Sequence, residues 1–166
     1  MIISSIQFAK MIFPLTYYST VKKHAKQYNV NPYLIMAIIR AESGFDANAV
    51  SPKNAQGLMQ LTEDTAVFCA QKLNDKEFTL EKIKDVDINI EFGTWYYAKY
   101  LLEKYNGDER IALAAYNAGH GNVDKWDIEG GLKIEDIKFE ETKKYVQRVE
   151  LYYKVYKQLY RWKSRL

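Results

Sequence analysis

Residues 31–44 of the chain read NPYLIMAIIRAESG, and this stretch carries much of the evidence for the fold. Asn31 followed by Pro32 is typical of a helix start, because asparagine caps the first turn and proline fits its first position. Residues 33–39 are apolar on nearly every side, which predicts a central, buried helix. We expect this helix to end at about Glu42, because Gly44 follows closely.

Helical patterns continue on both sides of this central stretch. A first helix is predicted from Tyr18, and others begin after Thr62, at Asp85 or Asp87, and after Asp108. A last amphipathic helix carries, at spacings of three and four residues, Tyr145, Val149, Tyr152, Tyr156 and Leu159. No stretch shows the alternation that marks a strand, so the fold class is predicted to be all-α.

The chain is predicted to form one domain that follows a short arm. Its 166 residues suit a single domain, and 48% of them are hydrophobic, which excludes a disordered or fibrous chain. Residues 1–16 are predicted to be an irregular N-terminal arm, and residues 17–166 the domain. Within the domain, residues 44–61 and 119–138 are rich in turn-forming residues and are predicted to be loop-rich.

The charge distribution bears on possible partners. The net charge of +3 is too small to indicate nucleic acid. Residues 142–166, however, carry eight basic residues against one acidic residue, Glu150, which gives a net +7. The basic last helix could contact an anionic surface such as the cell wall or a membrane, and a solvated helix face explains the same pattern.

Neither a metal nor a cofactor is predicted. The single cysteine, Cys69, excludes an internal disulfide and a cysteine-based zinc site, and the two histidines, His24 and His120, lie far apart in the sequence. The apolar run 33–39 is far shorter than the ~20 residues that cross a bilayer. The start lacks the basic and apolar regions of a signal peptide, so the chain as given is expected to be soluble and without an export signal.

Glu42 is the main candidate for a catalytic residue. It ends a helix that is otherwise nearly all apolar, so we expect its carboxyl group to be partly desolvated. Desolvation disfavours the ionised form and raises the pKa, which keeps a proton available near neutral pH. Cleavage of a glycosidic bond requires a proton donor of this kind. An ordinary solvated glutamate at a helix end would give the same sequence pattern.

Three other short motifs offer groups that suit a sugar ligand. Gly57 and Gln60 combine a glycine, which lets a ligand approach the backbone, with an amide that donates and accepts hydrogen bonds. Tyr116 and Asn117 close a helix with a phenol and an amide, and Tyr145 opens the last helix. The 14 tyrosines, 7 phenylalanines and 3 tryptophans could stack on sugar rings, although most of them must serve in helix packing.

Together these segments resemble the catalytic domain of the soluble lytic transglycosylase family, which has the goose-lysozyme-like fold. The resemblance extends over roughly residues 17–160 and rests on four ordered motifs. These motifs are Ile38–Phe45 with Glu42-Ser43, Ala55–Gln60, Ala115–Gly119 and Glu141–Val146. A Glu-Ser pair alone carries no information, whereas four motifs in the right order at fitting intervals are specific.

The resemblance implies a compact, lysozyme-like helical domain with a substrate cleft. Such enzymes cleave the β-1,4 bond between N-acetylmuramic acid and N-acetylglucosamine in peptidoglycan, and they form a 1,6-anhydromuramoyl end without consuming water. Glu42 would protonate the leaving oxygen and then take the proton of the muramoyl C6 hydroxyl, which attacks C1. The protein would act as a monomer on glycan strands in the cell envelope, outside the cytoplasmic membrane.

The same resemblance implies roles for further residues. Ser51 and Gln60 would contact the substrate, Tyr116 and Asn117 would shape the site, and Tyr145 would lie beside Glu42 and the reacting sugar. The positions expected to support them are Ser43, Met59 and Glu141. The chain departs from the family at Thr62 and Glu63, where methionine and proline are usual, at Lys53-Asn54, which replaces a glycine-type turn, and at Lys143, where arginine is usual. These departures bear on substrate affinity and leave the proposed acid in place.

The sequence leaves three competing functions open. Most glycosidases use two carboxylates, yet no second acid falls within the motif cores, and Asp46 is the nearest in sequence. If Asp46 points into the cleft, a lysozyme-type hydrolase on the same scaffold becomes possible. A non-catalytic peptidoglycan-binding module and a helical interaction protein are also compatible with the helical pattern.

Overall fold

The central helix lies where the sequence predicts it. In the computed structural model, which describes residues 5–126 and 131–161, helix α3 spans Pro32–Glu42. The Asn31 side chain caps it by accepting a hydrogen bond from the Tyr33 amide at 2.9 Å. Residues 33–39 are all buried, as expected for a helix that is apolar on every side.

Eight further helices surround α3 in the described part of the chain. They are α1 (Ser5–Ile12), α2 (Tyr18–Gln27), α4 (Glu63–Leu73), α5 (Val86–Trp95), α6 (Leu102–Lys104), α7 (Glu109–Ala118), α8 (His120–Val123) and α9 (Glu140–Leu159). Short 3-10 helices span Leu80–Lys84 and Ile134–Asp136. No strand occurs in these residues, and β pairing is limited to isolated bridges of Gln56 with Val50 and with Leu61.

The predicted helix starts are confirmed by their caps. The side chains of Thr62, Asp85 and Asp108 each accept a hydrogen bond from a backbone amide in the first turn of the helix that follows. Each cap satisfies a donor that has no partner within the helix. The loop-rich segment 119–138 contains the short helix α8 and a 3-10 helix, while residues 127–130 lie outside the described residues.

The core forms where α3 packs against α2 and α9, and α7 also packs against α9. The amphipathic stripe predicted on α9 is confirmed by Tyr145, Val149 and Tyr156, which are buried. A smaller apolar cluster joins α4 to α5, with Cys69 and Phe92 in its interior. These contacts fix the C-terminal end of α3 between the irregular segment 44–61 and the start of α9.

The helix predicted to begin at Asp85 or Asp87 is interrupted in its middle. Residues Tyr96–Leu101 form a π-helical turn between α5 and α6. Such a turn holds one more residue than an α-helical turn, so it rotates the side chains that follow. It carries no glycine or proline signal, which is why the sequence pattern predicts one continuous helix.

The prediction of an irregular arm over residues 1–16 is wrong, because α1 spans Ser5–Ile12. The helix has no buried residue, and Phe8 and Met11 are 58% and 68% exposed. Sequence patterns recognise a helix chiefly by its buried stripe, and α1 presents none to the core. The division into an arm and a domain stays a prediction.

The chain directly after α1 is anchored to the core. The Phe13 ring packs edge-on against Tyr152, with ring centres 5.4 Å apart, and the Arg40 guanidinium lies 4.6 Å from the Phe13 ring centre. The Tyr160 hydroxyl donates a hydrogen bond to the Phe13 carbonyl at 2.7 Å. These contacts tie the residues after α1 to both α3 and α9.

No helix within residues 5–126 and 131–161 combines the length and the apolarity that a membrane span needs. The basic tail predicted over residues 142–166 lies mostly on α9, whereas residues 162–166 are outside the described part.

Candidate active site

A cleft of about 290 Å³ opens at the C-terminal end of α3. It brings together six of the predicted site residues, which are Glu42, Ser51, Gln60, Tyr116, Asn117 and Glu141. They come from four parts of the chain: the end of α3, the segment 44–61, the end of α7 and the start of α9. The grouping of residues so distant in sequence marks this cleft as the candidate active site.

A larger groove lies elsewhere on the protein, but it lacks a carboxyl group with a raised pKa. That groove, about 510 Å³ beside α4, is lined by apolar side chains such as Val67 and Phe78 and by polar side chains such as Gln71. Asp75 is the acid among its lining residues, and its carboxylate accepts a hydrogen bond from the Glu77 amide. The smaller cleft instead holds a carboxyl group with a strongly raised pKa.

Glu42 is that carboxyl group. Burial raises its pKa from 4.5 to about 7, because the surrounding protein replaces the water that would stabilise its charge. The Tyr145 hydroxyl and the Arg148 guanidinium partly oppose this shift, and the negative charge of Glu141 adds to it. The carboxyl group therefore still carries a proton near neutral pH while it lines an open cleft.

Tyr145 lies behind Glu42 and not on the surface of the cleft. Its side chain is 1% exposed, and its hydroxyl faces the Glu42 carboxyl group. As a hydrogen-bond donor to the ionised carboxylate, the hydroxyl lowers the pKa of Glu42. The placement supports an action on Glu42 and gives no support to the predicted contact with a bound sugar.

We expect Tyr145→Phe to change the titration of Glu42 with only a small loss of stability. Removing a hydroxyl that lowers the Glu42 pKa should move that pKa, and the alkaline limb of any activity profile, to higher pH. Loss of this one hydrogen bond should lower the free energy of unfolding by about 0.5–1.5 kcal/mol. Tyr97→Phe is a matched control, because Tyr97 is also a fully buried tyrosine and its hydroxyl does not contribute to the Glu42 pKa. Equal effects of the two variants on the pH profile would assign Tyr145 to packing alone.

The segment 44–61 is held in shape by its own polar groups. Gln60 adopts a positive φ of 48°. Its side-chain amide nitrogen donates hydrogen bonds to the carbonyls of Gly57 at 2.9 Å and Ala49 at 3.2 Å. The Ser51 hydroxyl accepts a hydrogen bond from the Ala55 amide at 3.0 Å. Both predicted substrate contacts therefore also stabilise the wall of the cleft.

Ser43 and Met59, two of the predicted supporting residues, do not line the cleft but contact the segments that form its walls. The Ser43 hydroxyl lies 2.8 Å from the Leu58 carbonyl and ties the end of α3 to the segment 44–61. Met59 is fully buried, and its carbonyl accepts a hydrogen bond from the Tyr116 hydroxyl at 2.8 Å.

Asn117 joins the two helices that form the other wall. Its side-chain oxygen accepts a hydrogen bond from the Thr142 hydroxyl at 2.8 Å, which links α7 to the start of α9. Across the mouth of the cleft, the Lys53 ammonium lies 3.9 Å from the Glu141 carboxylate, and both side chains are largely exposed.

Asn89 is a positioning residue to which the sequence analysis assigns no role. It is completely buried in α5, and its side-chain oxygen accepts a hydrogen bond from the Met59 amide at 2.7 Å. Its amide nitrogen donates to the carbonyls of Gln56 at 3.0 Å and Ile83 at 2.7 Å. Gly57 packs so closely on this amide that an added Cβ would collide with it. An asparagine between isoleucines in an otherwise apolar helix turn is the signal that could have identified it.

Besides Glu42, the sequence places two acids near the site, and only Glu141 lines the cleft, whereas Asp46 does not. Asp46 is exposed, does not line the cleft, and accepts a hydrogen bond from the Asn48 amide at 2.8 Å. The second carboxylate of the cleft is Glu141. Thr62 is a polar residue of the cleft lining, and Glu63 accepts a hydrogen bond from Asn54 at 3.2 Å.

A polar cluster joins α2 to α5 apart from the cleft. The buried His24 ring lies 2.9 Å from the Asp87 carboxylate, and Glu91 completes a group whose ligand atoms lie within 4.8 Å of one another. A metal ion could bridge such a group, but the Lys23 ammonium already lies 3.1 Å from Asp87. None of these side chains lines the cleft, and the predicted absence of a metal stays a prediction.

Comparison with known proteins identifies the family. The sequence model described as "Transglycosylase SLT domain" matches residues 19–136, which is more than half of the chain. The chain belongs to this family. The chain is 31% identical over 147 residues to the soluble lytic murein transglycosylase of Escherichia coli K12, covering 84% of this chain and 23% of that protein. It is also 35% identical over 115 residues to membrane-bound lytic murein transglycosylase C of Histophilus somni, covering 64% of this chain and 32% of that one.

The fold of the SLT domain matches solved structures. The X-ray structure of an inactive Glu-to-Gln mutant of the lytic transglycosylase Slt from Pseudomonas aeruginosa superposes with a TM-score of 0.82 at 34% identity. The match covers 90% of this chain and 25% of that one. It confirms the predicted all-α, lysozyme-like fold. The chain spans about a quarter of the length of this structure and of the E. coli relative.

Proposed function

We propose that this SLT domain is a peptidoglycan lytic transglycosylase that uses Glu42 as its single general acid and base. The observation that carries the proposal is the raised Glu42 pKa, about 7, inside a cleft lined by Ser51, Gln60 and Asn117. A group with this pKa donates and recovers a proton near neutral pH with little free-energy cost in either direction. The family relationship indicates which reaction is catalysed, since the relatives of this chain are named murein transglycosylases.

The reaction proceeds in two proton transfers. Protonated Glu42 donates its proton to the glycosidic oxygen as the bond from that oxygen to the muramoyl C1 breaks. The N-acetyl oxygen of the substrate stabilises the positive charge that develops at C1. The Glu42 carboxylate then takes the proton of the C6 hydroxyl, whose oxygen bonds to C1 and closes the 1,6-anhydro ring. No water is consumed, and the ring closure gains from the proximity of the two atoms within one sugar.

The neighbours of Glu42 have separate roles in this proposal. Arg148 and Tyr145 stabilise the carboxylate that forms after the first transfer, since both favour the ionised form. Ser51 binds near the muramoyl acetamido group, and Gln60 and Asn117 orient the glycan in the cleft. The substrate is a peptidoglycan strand, and the protein acts as a monomer in the cell envelope outside the cytoplasmic membrane.

A lysozyme-type hydrolase is the second candidate, and one observation favours it. Glu141 is a second carboxylate lining the cleft, where a base could activate a water molecule. Its high exposure, with 76% of the side chain accessible, and its ion pair with Lys53 argue for a place at the rim.

The product distinguishes the two reactions. Purified protein is incubated with intact sacculi in water enriched in ¹⁸O, and the released muropeptides are identified by mass spectrometry. We expect anhydromuramoyl ends that carry no ¹⁸O. Reducing muramic acid ends labelled with ¹⁸O would assign the hydrolase, and the absence of any release would favour a non-catalytic binding module.

A further inference from the structure

Helix α1 presents apolar side chains to the solvent. The described part of the chain exposes nine large hydrophobic residues, and four of them lie on this helix, namely Ile6, Phe8, Met11 and Ile12. Phe8, Met11 and Ile12 share one side of the helix, because their spacings of three and four residues match a helical turn. Exposed hydrophobic residues that occur singly are common, whereas a stripe of them marks an interaction surface.

Basic residues lie at the same end of the protein. The Lys10 ammonium of α1 lies 5.8 Å from the centre of the Tyr160 ring, at the end of α9. Lys157 and Arg161, which lie close to Tyr160 in the sequence, are exposed. Neither α1 nor the stretch 151–161 contains an acidic residue. The apolar and basic residues of this end are together called the α1 surface, which consists of Phe8, Lys10, Met11, Ile12, Lys157 and Arg161.

Two hydrogen bonds hold the chain that follows α1 against the end of α9. The Tyr160 hydroxyl donates to the Phe13 carbonyl at 2.7 Å, and the Tyr156 hydroxyl donates to the Pro14 carbonyl at 3.1 Å. Helix α1 therefore starts from a fixed point beside α9, which keeps its apolar stripe close to the basic residues.

The α1 surface lies at the opposite end of α9 from the catalytic cleft. Tyr145 lies beside Glu42, whereas Tyr160 contacts Lys10. The two tyrosines are fifteen positions apart, which corresponds to about 20 Å along a helix. A partner that binds the α1 surface would therefore leave the cleft open.

We propose that the α1 surface docks on a lipid bilayer that contains anionic phospholipids. A short helix binds such a surface by burying its apolar side between the headgroups, while neighbouring basic residues contact the lipid phosphates. An anionic polymer would pair with the basic residues but would offer no apolar phase to Phe8 and Met11. A second copy of the chain would bring two sets of like charges together. The proposal is independent of the proposed function.

Vesicle binding tests the proposal directly. The protein is mixed with vesicles of phosphatidylcholine alone, or of phosphatidylcholine and phosphatidylglycerol in equal parts, and the bound fraction is measured by co-sedimentation at low and high salt. We expect binding to the anionic vesicles that weakens as the salt concentration rises, because salt screens the lipid charges. Binding to the neutral vesicles should be much weaker.

Variants of the α1 surface separate the apolar contribution from the charged one. Phe8→Ser removes a ring that would enter the bilayer, so it should weaken vesicle binding by roughly tenfold or more at any salt concentration. Lys10→Gln and Lys157→Gln should each weaken binding by about fivefold at low salt and much less at high salt, as expected for one basic residue near an anionic membrane. The melting temperature of Phe8→Ser should not change, because α1 has no buried residue.

Two matched controls replace exposed residues elsewhere. Leu80→Ser changes an exposed hydrophobic residue on the 3-10 helix Leu80–Lys84, which packs on α4 and α5, and Lys125→Gln removes an exposed lysine close to α8. Both should bind vesicles as the parent does. Variants of the α1 surface should release muropeptides from sacculi at the parent's rate, because this surface lies far from Glu42.

Three results would overturn the inference. The first is that the parent does not bind anionic vesicles at low salt. The second is that the lysine variants weaken binding while Phe8→Ser does not, which would indicate a purely electrostatic contact, as with an anionic polymer. The third is a dimer in analytical ultracentrifugation that Phe8→Ser dissociates, which would assign the surface to a second copy of the chain. The proposed function is tested separately, by muropeptide release.

Discussion

Replacing Glu42 by glutamine is expected to reduce glycan cleavage by roughly 1,000-fold or more, because general acid–base catalysis by one group is worth about 10²–10⁴-fold and here one group acts in both steps. The amide is nearly isosteric with the protonated carboxyl group but cannot transfer a proton. The measurement is the initial rate of muropeptide release from sacculi, with folding checked by circular dichroism.

The same substitution should stabilise the protein at alkaline pH. The folded state holds the Glu42 proton more tightly than the unfolded state, since the pKa is about 7 against an ordinary 4.5. The wild-type protein therefore loses stability as pH rises from about 4.5 through about 7, whereas the glutamine variant does not. We expect the variant to be more stable by about 1–3 kcal/mol at pH above 8 and equal to the wild type in acid.

Glu141→Gln is the control for this prediction. It removes the other carboxylate of the cleft, which is exposed, and should retain most of the cleavage activity. Its alkaline limb should move slightly to lower pH, because the charge of Glu141 raises the Glu42 pKa. If Glu141→Gln is as inactive as Glu42→Gln, two carboxylates are required and the single-acid mechanism is wrong.

Asn89→Ala is expected to cause the largest loss of stability among single substitutions near the cleft. It removes the partners of the buried Met59 amide and of two carbonyls, those of Gln56 and Ile83. Buried groups left unpaired, together with the small cavity, should cost about 3 kcal/mol, or roughly 6–12 °C in melting temperature for a domain of this size. The measurement is urea unfolding followed by circular dichroism.

Activity should fall with stability in this variant, for a structural reason. Asn89 holds the turn from Gly57 to Gln60 against α5, and that turn forms one wall of the cleft. Asn122→Ala is the matched control, because it removes one exposed hydrogen bond to the Ala118 carbonyl and should cost well under ~1 kcal/mol. Equal destabilisation by the two variants would show that Asn89 does not hold the turn.

Much of the fold follows from the sequence because its signals are local. Asn31-Pro32 predicts the start of α3, and the apolar run that follows predicts that the helix is buried. Both predictions use only adjacent residues and need no knowledge of contacts with distant parts of the chain. The caps at Thr62, Asp85 and Asp108 are equally local. Helix α1 escaped prediction because it has no buried stripe, and the π-helical turn escaped because side-chain packing alone decides it.

The candidate site is less predictable because it depends on contacts between distant residues. The family resemblance pointed to Glu42, Ser51, Gln60 and Asn117, which the fold brings together in one cleft. The position of Tyr145 behind Glu42 depends on the rotation of α9, which no local pattern specifies. Asn89 acts through three backbone groups that lie from 6 to 33 positions away, so only the folded chain reveals its role.

The direct test of the central claim is the titration of the Glu42 side chain in the folded protein. Glutamate labelled with ¹³C at the carboxyl carbon is followed by NMR from acid to alkaline pH, and the Glu42 signal is assigned by its loss in Glu42→Gln. The account predicts a midpoint at about 7 and an alkaline limb of activity at the same pH. A midpoint near the ordinary value of 4.5 would contradict it, because the group would then hold no proton to donate near neutral pH.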